Sequence, residues 1–216
     1  METHNTSLII GSTGLIGNKL LYELAKKDTE IIAITRRPIN NLPENVSLLN
    51  IDFDDFLQNG VLPSCNHIYI CLGTTIKKAG SQSEFKKVDF DYCVSFARKA
   101  REAGATKISL VSSVGANPHT KNFYLKTKGE VEEEIKKIDF QVINIFRPSL
   151  LLGRREESRF LEKIGQNLSL FINLFLIGYF RKYRSIKSSN VAYCIANCEQ
   201  SDGVRYFYFD DFINIY

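Results

Sequence analysis

The amino-acid sequence predicts an α/β fold, a doubly wound parallel sheet with helices on both of its faces. Short apolar runs alternate with amphipathic segments along most of the chain, and this alternation is typical of βαβ units. The runs lack a regular alternation of apolar and polar residues, as expected of strands that are covered on both faces. A glycine-rich turn follows the first run, which is where this class of fold often holds a nucleotide.

Six apolar runs are predicted to be strands, at residues 8–10, 31–34, 47–51, 67–72, 107–111 and 141–146. Apolar residues recur near helical spacing in three segments that we predict to be helices, at residues 15–27, 84–103 and 123–138. After Pro148 the pattern is mostly helical up to Glu199, and a strand-like run follows at residues 204–209. We predict a single domain over residues 1–216, in which about residues 150–200 form a small, mostly helical substrate lobe over the carboxyl ends of the strands.

Length and charge narrow the class of protein. A chain of 216 residues fits one α/β domain with a sizeable core. The formal net charge of +4 is small and spread along the chain, so no nucleic-acid partner is predicted. The apolar segment 168–180 is shorter than the roughly 20 residues that span a bilayer, so we predict no membrane span. We expect this segment to form a buried helix or a lid over a pocket, and the alternative is an interfacial membrane helix, although the polar face that such a helix needs is thin.

The cysteine pattern predicts reduced thiols and a cytoplasmic protein. The count is odd and no two cysteines are spaced as CxxC, so neither a disulfide framework nor a metal site is indicated. Cys194 and Cys198 are four residues apart and are expected to be small buried side chains. The first residues, Met-Glu-Thr-His-Asn, lack the basic and then apolar pattern of a signal peptide.

The segment from Gly11 to Gly17 has the glycine spacing GxxGxxG, directly after an apolar run and before a helical pattern. In a dinucleotide-binding turn the first glycine permits the sharp turn, the second lets the backbone approach the phosphates, and the third lets the helix pack on the strand. The helix N-terminus then offers unpaired N–H groups to the phosphates. A plain strand-to-helix turn is the alternative interpretation.

Two arginines follow the second predicted strand and indicate NADP. An NAD-binding protein places an Asp or Glu about 20 residues after the glycines, where it accepts hydrogen bonds from the ribose 2′-hydroxyl. This sequence has Arg36 and Arg37 at that position, and a guanidinium matches the 2′-phosphate of NADP. The alternative interpretation of the two arginines is a solvent-exposed basic turn.

Two further segments fit a cofactor pocket without establishing it. Asp52 follows the third predicted strand, where its carboxylate would accept a hydrogen bond from the adenine amino group or would cap a helix. Leu72 and Gly73 end the fourth predicted strand, where a glycine lets the chain pass close to a cofactor or forms an ordinary turn.

The most specific pattern follows the fifth predicted strand. Ser112 and Ser113 end that strand, and Tyr124 and Lys128 follow with the spacing YxxxK, which puts both on one face of a helix. Carbonyl reduction needs a proton donor at the oxygen as hydride reaches the carbon. A free tyrosine has a pKa of about 10, and a nearby ammonium favours the phenolate. The pattern therefore predicts hydride-transfer chemistry.

These motifs resemble the short-chain dehydrogenase/reductase family, on its atypical, extended-like side. The sequence is similar in particular to the NADPH-binding oxidoreductase family named for the HIV Tat-interacting protein, and this resemblance implies a Rossmann fold. The segments that carry this resemblance are CLGTTIKKAG (71–80), VDFDY (88–92), LVSSVGA (110–116), YLKTKGEVE (124–132) and FRPSLLLGRREESR (146–159).

The resemblance implies a set of roles. It implies Tyr124 as acid/base, Lys128 as the cation that activates it and binds the nicotinamide ribose, and Ser113, rather than Ser112, as the carbonyl-orienting hydroxyl. The implied cofactor contacts are Thr13, Gly14, Leu15 and Ile16 along the pyrophosphate, Arg36 and Arg37 at the 2′-phosphate, Leu72 and Gly73 on the adenosine side, and Leu151 and Arg159 near the cofactor. Two departures stand out: Val88-Asp89-Phe90-Asp91 replaces the segment where many relatives have a relay asparagine, and Ser149 replaces a glycine.

Other catalytic patterns are missing from the sequence. There is no GxSxG for a hydrolase, no HExxH or Cys/His cluster for a metal, and no GxxxxGK[ST] for a P-loop. The acidic run Glu132-Glu133-Glu134 is expected to be solvent-exposed.

We therefore predict an NADP-dependent oxidoreductase that transfers hydride to or from a small carbonyl or alcohol. The alternative is an NADPH-binding, redox-sensing regulatory protein with little turnover. The apolar segment 168–180 is then a candidate surface for a protein partner.

Overall fold

The structure is a computed structural model that describes residues 5–27, 29–152, 176–199 and 201–214. Within these ranges the strands are β1 (Thr6–Ile10), β2 (Glu30–Thr35), β3 (Val46–Asn50), β4 (His67–Ile70), β5 (Lys107–Val111), β6 (Val142–Phe146), β7 (Leu151–Leu152), β8 (Ile186–Lys187) and β9 (Gly203–Phe207). The helices are α1 (Leu15–Leu24), α2 (Phe53–Asn59), α3 (Ile76–Ala79), α4 (Gln82–Lys86), α5 (Tyr92–Glu102), α6 (Phe123–Lys136), α7 (Ser188–Asn197) and α8 (Phe209–Ile213). A π-helical turn (Lys87–Asp91) joins α4 to α5, and a 3-10 helix covers Gly178–Tyr183.

The main sheet confirms the predicted fold. Its seven strands are ordered β3-β2-β1-β4-β5-β6-β9, and every neighbouring pair is parallel. The chain winds outward from β1 to β3 and then returns to place β4 on the other side of β1. The winding reverses between β1 and β4, and in open α/β sheets the crevice that binds ligands lies outside the carboxyl ends of the strands at this point.

Two apolar clusters cover the two faces of this sheet. Phe96 of α5 and Ile135 of α6 belong to one cluster, and Leu20 of α1 and Val191 of α7 belong to the other. All four side chains are fully buried. The Rossmann-like doubly wound arrangement predicted from the apolar runs is therefore present, with helices on both faces.

Several element boundaries differ from those predicted. The fourth strand was predicted to reach residue 72 but ends at Ile70, where the chain leaves the sheet toward the crevice. The last strand was predicted to reach residue 209 but ends at Phe207, because Tyr208 is the N-cap of α8 and its N–H donates to Asp211 Oδ2 over 2.7 Å. The short helices α2, α3 and α4 were not predicted individually, since four to seven residues carry little periodicity.

The predicted substrate lobe is described only in part. Residues 153–175 lie outside the described residues, and so does most of the apolar segment 168–180. Its described end is exposed rather than buried at Ile177, Tyr179 and Phe180. Helix α7 packs against α1 within a core cluster, so it belongs to the helical layer of the sheet. The remaining extent of a lobe stays a prediction.

The turn after β1 is built on backbone contacts that only glycine allows. Gly11 has a φ of +86°, and a Cβ there would lie 2.5 Å from the carbonyl carbon of Cys71. A Cβ on Gly17 would lie 2.2 Å from the carbonyl oxygen of Gly11. The Gly14 N–H donates to that same oxygen over 3.0 Å. These contacts place the start of α1 directly above the gap between β1 and β4.

Replacing Gly11 with alanine tests this contact. The added Cβ would overlap the backbone after β4 and would strain the positive φ, so we expect the free energy of unfolding to fall by at least about 2 kcal/mol. Gly80 is the matched control, because its φ of +89° is similar but a Cβ there meets nothing within 4 Å. Urea denaturation of both alanine variants measures the difference. Equal losses would show that the approach to Cys71 does not constrain the fold.

A buried histidine predicts how stability depends on pH. His67 of β4 is buried, its Nε2 lies 3.0 Å from the Ser109 Oγ, and burial lowers its pKa to about 3. In the unfolded chain this histidine has its ordinary pKa of 6.5. As the pH falls below this value, the unfolded chain therefore binds a proton at His67 that the native protein does not bind. Stability contributed by neutral His67 is thus complete above pH 6.5 and is lost progressively toward pH 3.

We expect this loss to reach about 2 kcal/mol at pH 5. It is measured as the fall in unfolding free energy between pH 7 and pH 5 for wild type, His67→Gln and His119→Gln. His119 is exposed, so its variant should retain the wild-type fall, whereas His67→Gln should show a smaller one. A His67→Gln protein with the wild-type pH dependence would contradict this account.

Candidate active site

The first turn of α1 faces the crevice at the end of β1. Gly14 is the N-cap of this helix and has no side chain with which to accept a hydrogen bond from it. Thr13 is exposed, and Gly14 and Leu15 are half-buried. Ile16 is 5% exposed and packs in the core, so any ligand contact that it makes is through its backbone. The backbone donors at this helix N-terminus are therefore suited to an anion.

The two arginines predicted to bind a phosphate lie just beyond β2. Both are exposed, and the Thr35 hydroxyl donates to the Arg37 carbonyl oxygen over 2.7 Å, which closes the turn that carries them. The Arg36 guanidinium carbon lies 5.3 Å from the centroid of the Phe53 ring. Arg36 is thus held flanking the start of α2, on the side of the sheet where an adenosine would lie in this fold.

Asp52 is the N-cap of α2. Its Oδ1 accepts a hydrogen bond from the Asp55 N–H over 3.1 Å, so the helix-cap interpretation of this residue is confirmed. Whether it also binds an adenine amino group stays a prediction.

The chain after β4 enters the centre of the crevice. Leu72 is 9% exposed and belongs to the core, whereas Gly73 is exposed. The next residue, Thr74, donates its backbone N–H to Asp89 Oδ2 over 2.8 Å. This bond fixes the segment that the sequence predicted to lie beside a cofactor.

The loop after β5 is clamped onto α6 and presents Ser113. A Cβ on Gly129 of α6 would lie 2.3 Å from the Pro118 backbone nitrogen, so glycine is needed for the loop to approach the helix. The Asn117 N–H also donates to the Leu125 carbonyl oxygen over 3.0 Å. Within this loop Ser113 is half-buried, and its hydroxyl makes only a long contact of 3.4 Å to the Val114 carbonyl oxygen.

Helix α6 carries the predicted YxxxK pair. Asn122 caps the helix by accepting the Leu125 N–H over 3.0 Å. Tyr124 lies in the first turn, 37% exposed, with its ring 5.8 Å from the ring of Phe85. Lys128 follows one turn later and is 5% exposed. The pair therefore combines a tyrosine that solvent can reach with a lysine that is buried beneath the surface.

The sequence did not identify the partner of Lys128. Its Nζ lies 2.7 Å from Asp89 Oδ1, and the Asp89 side chain is fully buried. Burial lowers the pKa of Lys128, but the charge of the Asp89 carboxylate outweighs it, so that this pKa lies above its ordinary value. Lys128 is consequently a cation in the folded protein at neutral pH.

Ser112 and Ser113 have different environments. Ser112 is buried, and its hydroxyl donates to Glu132 Oε1. Glu132 is itself 1% exposed, so the prediction that residues 132–134 are all solvent-exposed is wrong for this residue. Helix α6 turns Glu132 inward because it lies one helical turn after Lys128 on the same face.

Arg147 completes this buried cluster. Its Nε donates to Glu132 Oε1 over 3.0 Å, its Nη2 donates to Oε2, and its Nη1 donates to the Tyr208 hydroxyl over 3.0 Å. Burial lowers the pKa of Arg147, but the hydrogen bonds that it donates to Glu132 more than offset this and raise the pKa above its ordinary value. The cluster joins the ends of β5, β6 and β9 to α6, and it engages the hydroxyl of Ser112.

The remaining predicted positions are less informative. Leu151 lies half-buried in β7, paired with Ile186 of β8, and Arg159 lies outside the described residues. Cys194 and Cys198 are buried, as predicted.

Among the residues that the structure describes, no His/Cys/Asp/Glu group could hold a metal ion. No helix in the described ranges is both long and apolar enough to cross a bilayer.

Comparison with known proteins identifies the family. The model of the NAD dependent epimerase/dehydratase family matches residues 7–178. "Protein FMP52, mitochondrial" of Candida albicans is 36% identical over 160 residues, which cover 71% of this chain and 70% of that protein. "Protein HTATIP2" of Rattus norvegicus is 34% identical over 157 residues, which cover 70% of this chain and 64% of that protein.

A solved structure supports the same fold. The human epimerase family protein SDR39U1, crystallised with NADPH, superposes with a TM-score of 0.65 at 18% identity, covering 94% of this chain and 74% of that one. At this identity the likeness shows the fold alone.

The names of the relatives contradict the predicted cytoplasmic location. FMP52 proteins of Candida albicans, Debaryomyces hansenii and Saccharomyces cerevisiae are all named as mitochondrial. The prediction was wrong because unpaired cysteines argue only against an oxidising compartment, and several compartments are reducing.

The family match and the two relatives agree with the architecture and with the motifs of the crevice. The chain belongs to the NAD-dependent epimerase/dehydratase family, within the extended short-chain dehydrogenases/reductases.

Proposed function

We propose that this protein is an NADPH-dependent oxidoreductase that transfers hydride to or from a small carbonyl or alcohol. The observation that carries the proposal is the arrangement on α6 and the adjoining loop. Tyr124 is accessible, Lys128 is a buried cation one turn away, and the loop with Ser113 is clamped onto the same helix. These groups surround the carboxyl ends of the central strands, where members of this fold class bind their ligands.

The turn after β1 fits a dinucleotide. Gly11 and Gly17 have no Cβ at positions where a Cβ would overlap neighbouring backbone atoms. Gly14, the N-cap of α1, has no side chain that could accept a hydrogen bond from the first turn of the helix. Thr13, Gly14, Leu15 and Ile16 would hold the pyrophosphate here, mainly through backbone N–H groups. Leu72 and Gly73 would line the adenosine side. The nicotinamide supplies or accepts the hydride when the cofactor is bound.

The choice of NADP over NAD rests on Arg36 and Arg37. Both arginine side chains are exposed beyond β2, and a guanidinium cannot accept a hydrogen bond from a ribose hydroxyl. A 2′-phosphate offers the negative charge and the oxygen acceptors that match an arginine.

The protein residues manage the proton and the orientation of the substrate. In the direction of reduction, the Tyr124 hydroxyl donates its proton to the carbonyl oxygen, which becomes the hydroxyl of the alcohol. Ser113 Oγ donates a hydrogen bond to the same oxygen and so fixes the carbonyl beside Tyr124. Lys128 stabilises the phenolate that the proton transfer leaves behind.

Ser113 is favoured over Ser112 for the orienting role. The Ser112 hydroxyl is buried and donates to Glu132, so its proton is already used within the protein. The Ser113 hydroxyl makes only the long contact to Val114 and can turn toward a substrate.

The relatives named FMP52 also bear on where the protein acts. Because three of them are named as mitochondrial, we infer a mitochondrial location for this chain.

Replacing Tyr124 with phenylalanine tests the catalytic assignment. The variant keeps the ring and its contact with Phe85 but removes the proton donor, so we expect kcat to fall roughly 10²–10⁴-fold. NADPH oxidation is followed at 340 nm with aldehydes, ketones and quinones as substrates. Tyr22→Phe is the matched control, because Tyr22 is exposed on α1, and it should retain wild-type kcat. Unchanged turnover in Tyr124→Phe would refute the assignment.

The cofactor choice has its own test. We expect wild type to bind NADPH more tightly than NADH, and Arg36→Ala/Arg37→Ala to lose roughly ten- to a hundredfold in NADPH affinity with little change for NADH. Calorimetric titration of both nucleotides measures these affinities. Arg98→Ala, at an exposed arginine of α5, controls for lost surface charge. Equal wild-type affinities for the two nucleotides would contradict the NADP assignment.

A further inference from the structure

An acidic side chain that the sequence motifs did not assign lies at the centre of the candidate site. Asp89 is fully buried, and its two carboxylate oxygens face different partners. Oδ1 lies 2.7 Å from Lys128 Nζ, and Oδ2 accepts the Thr74 N–H over 2.8 Å. One carboxylate thus joins α6 to the segment that follows β4.

The position of Asp89 depends on the π-helical turn Lys87–Asp91. Such a turn inserts one extra residue into a helix and changes the direction of the side chains beside it. The turn packs against α4, α5 and α6. A bulge of this kind is frequent at functional sites, and here it aims a carboxylate at the lysine of the YxxxK pair.

The pair also lies beside the bare backbone of Gly73. A Cβ at Gly73 would be 3.7 Å from Asp89 Oδ1 and 4.0 Å from Lys128 Nζ. Gly73 is one of the residues predicted to line the cofactor. The ion pair therefore lies at the boundary of the proposed cofactor crevice and not in a remote part of the core.

A lysine buried to this extent requires a partner to stay charged. Removing an ammonium from water favours its neutral form, and unpaired buried lysines can lose their proton near neutral pH. The titratable groups that face Lys128 are Asp89 from the π-helical turn, Tyr124 from α6 and Cys93 from α5. Burial raises the pKa of the Cys93 thiol to about 12, so this group is neutral at neutral pH. Asp89 is thus the negative charge that offsets the burial.

We propose that Asp89 is a positioning residue of the candidate active site, which holds Lys128 as a charged ammonium in one fixed orientation one turn from Tyr124. Its contribution to catalysis rests on the proposed function, because it acts only through Lys128. An asparagine at this position would accept a hydrogen bond from the ammonium but would supply no negative charge. The aspartate therefore supplies the negative charge that keeps the Lys128 ammonium protonated, which a relay asparagine could not supply.

The proton on Lys128 can be followed directly in the free protein. The measurement is NMR of the lysine Cε and Nζ atoms in protein labelled with ¹³C and ¹⁵N, with the Lys128 signal assigned by its loss in Lys128→Met. In wild type we expect Lys128 to remain mainly protonated at pH 10.5, the ordinary lysine pKa. In Asp89→Asn its proton dissociation constant should rise at least about tenfold. The matched control is Asp91→Asn, at an exposed carboxylate on the same turn, which should leave Lys128 unchanged.

A wild-type Lys128 that is mainly deprotonated at pH 9, or an Asp89→Asn protein with the wild-type titration, would overturn the proposal. If Asp89→Asn is too unstable to titrate, urea denaturation of Lys128→Met and Asp89→Asn/Lys128→Met decides. We expect the double variant to be the more stable of the two, because it removes the carboxylate that Lys128→Met leaves buried and unpaired. A double variant that is less stable than Lys128→Met would overturn the proposal that Asp89 and Lys128 form an ion pair.

This experiment separates the inference from the proposed function. The titration uses no cofactor or substrate, so it succeeds or fails whether or not the protein reduces carbonyls. Where turnover is measurable, Asp89→Asn should lower kcat most at alkaline pH, at which its Lys128 has lost the proton, with little change in KM for NADPH. A kcat that falls equally at every pH would indicate a purely structural role for Asp89.

Discussion

The close approach of the Gly11 turn to the chain leaving β4 is the constraint on which the rest of the molecule depends. A Cβ on Gly11 would lie 2.5 Å from the Cys71 carbonyl carbon, and one on Gly17 would lie 2.2 Å from the Gly11 oxygen. Because β1 and β4 are neighbours at the point where the winding reverses, this contact sets the start of α1 over the crevice. The same contact positions Gly73, which follows β4 in the chain. It also positions Lys128, because Thr74 binds Asp89 and Asp89 binds Lys128.

Two buried ion pairs engage some polar groups of the site in structural contacts and leave other polar groups free to contact a ligand. Glu132 binds both Arg147 and Ser112, which ties α6 to the carboxyl ends of three strands. Asp89 binds Lys128, which keeps a cation inside the protein. Breaking either pair leaves an uncompensated buried charge, at a typical cost of about 3–5 kcal/mol. Ser113 and Tyr124 stay outside both clusters: Tyr124 is 37% exposed and the Ser113 hydroxyl makes only a long contact. Both side chains are therefore available for the roles that we propose for them.

The sequence was sufficient for features that are local or periodic. The strands from Thr6–Ile10 to Val142–Phe146 were predicted to within a few residues, because buried parallel strands are apolar throughout. Tyr124 and Lys128 could be placed on one helix face from their spacing alone. Asp89 and Glu132 could not be placed in the same way, since their partners come from other elements and burial is a tertiary property. The π-helical turn that directs Asp89 inward has no periodic signature, and Glu132 was hidden in an acidic run that resembles a solvated face.

Isotope transfer distinguishes hydride transfer by this chain from nucleotide binding alone. NADPH carrying deuterium at nicotinamide C4 in each stereochemical position is incubated with the protein and a panel of aldehydes and ketones, and the products are analysed by mass spectrometry. We expect deuterium on the carbon of the newly formed alcohol from one stereoisomer only, with wild type and not with Tyr124→Phe. NADPH that binds tightly but labels none of these compounds would contradict hydride transfer by this chain and would favour a redox-sensing protein.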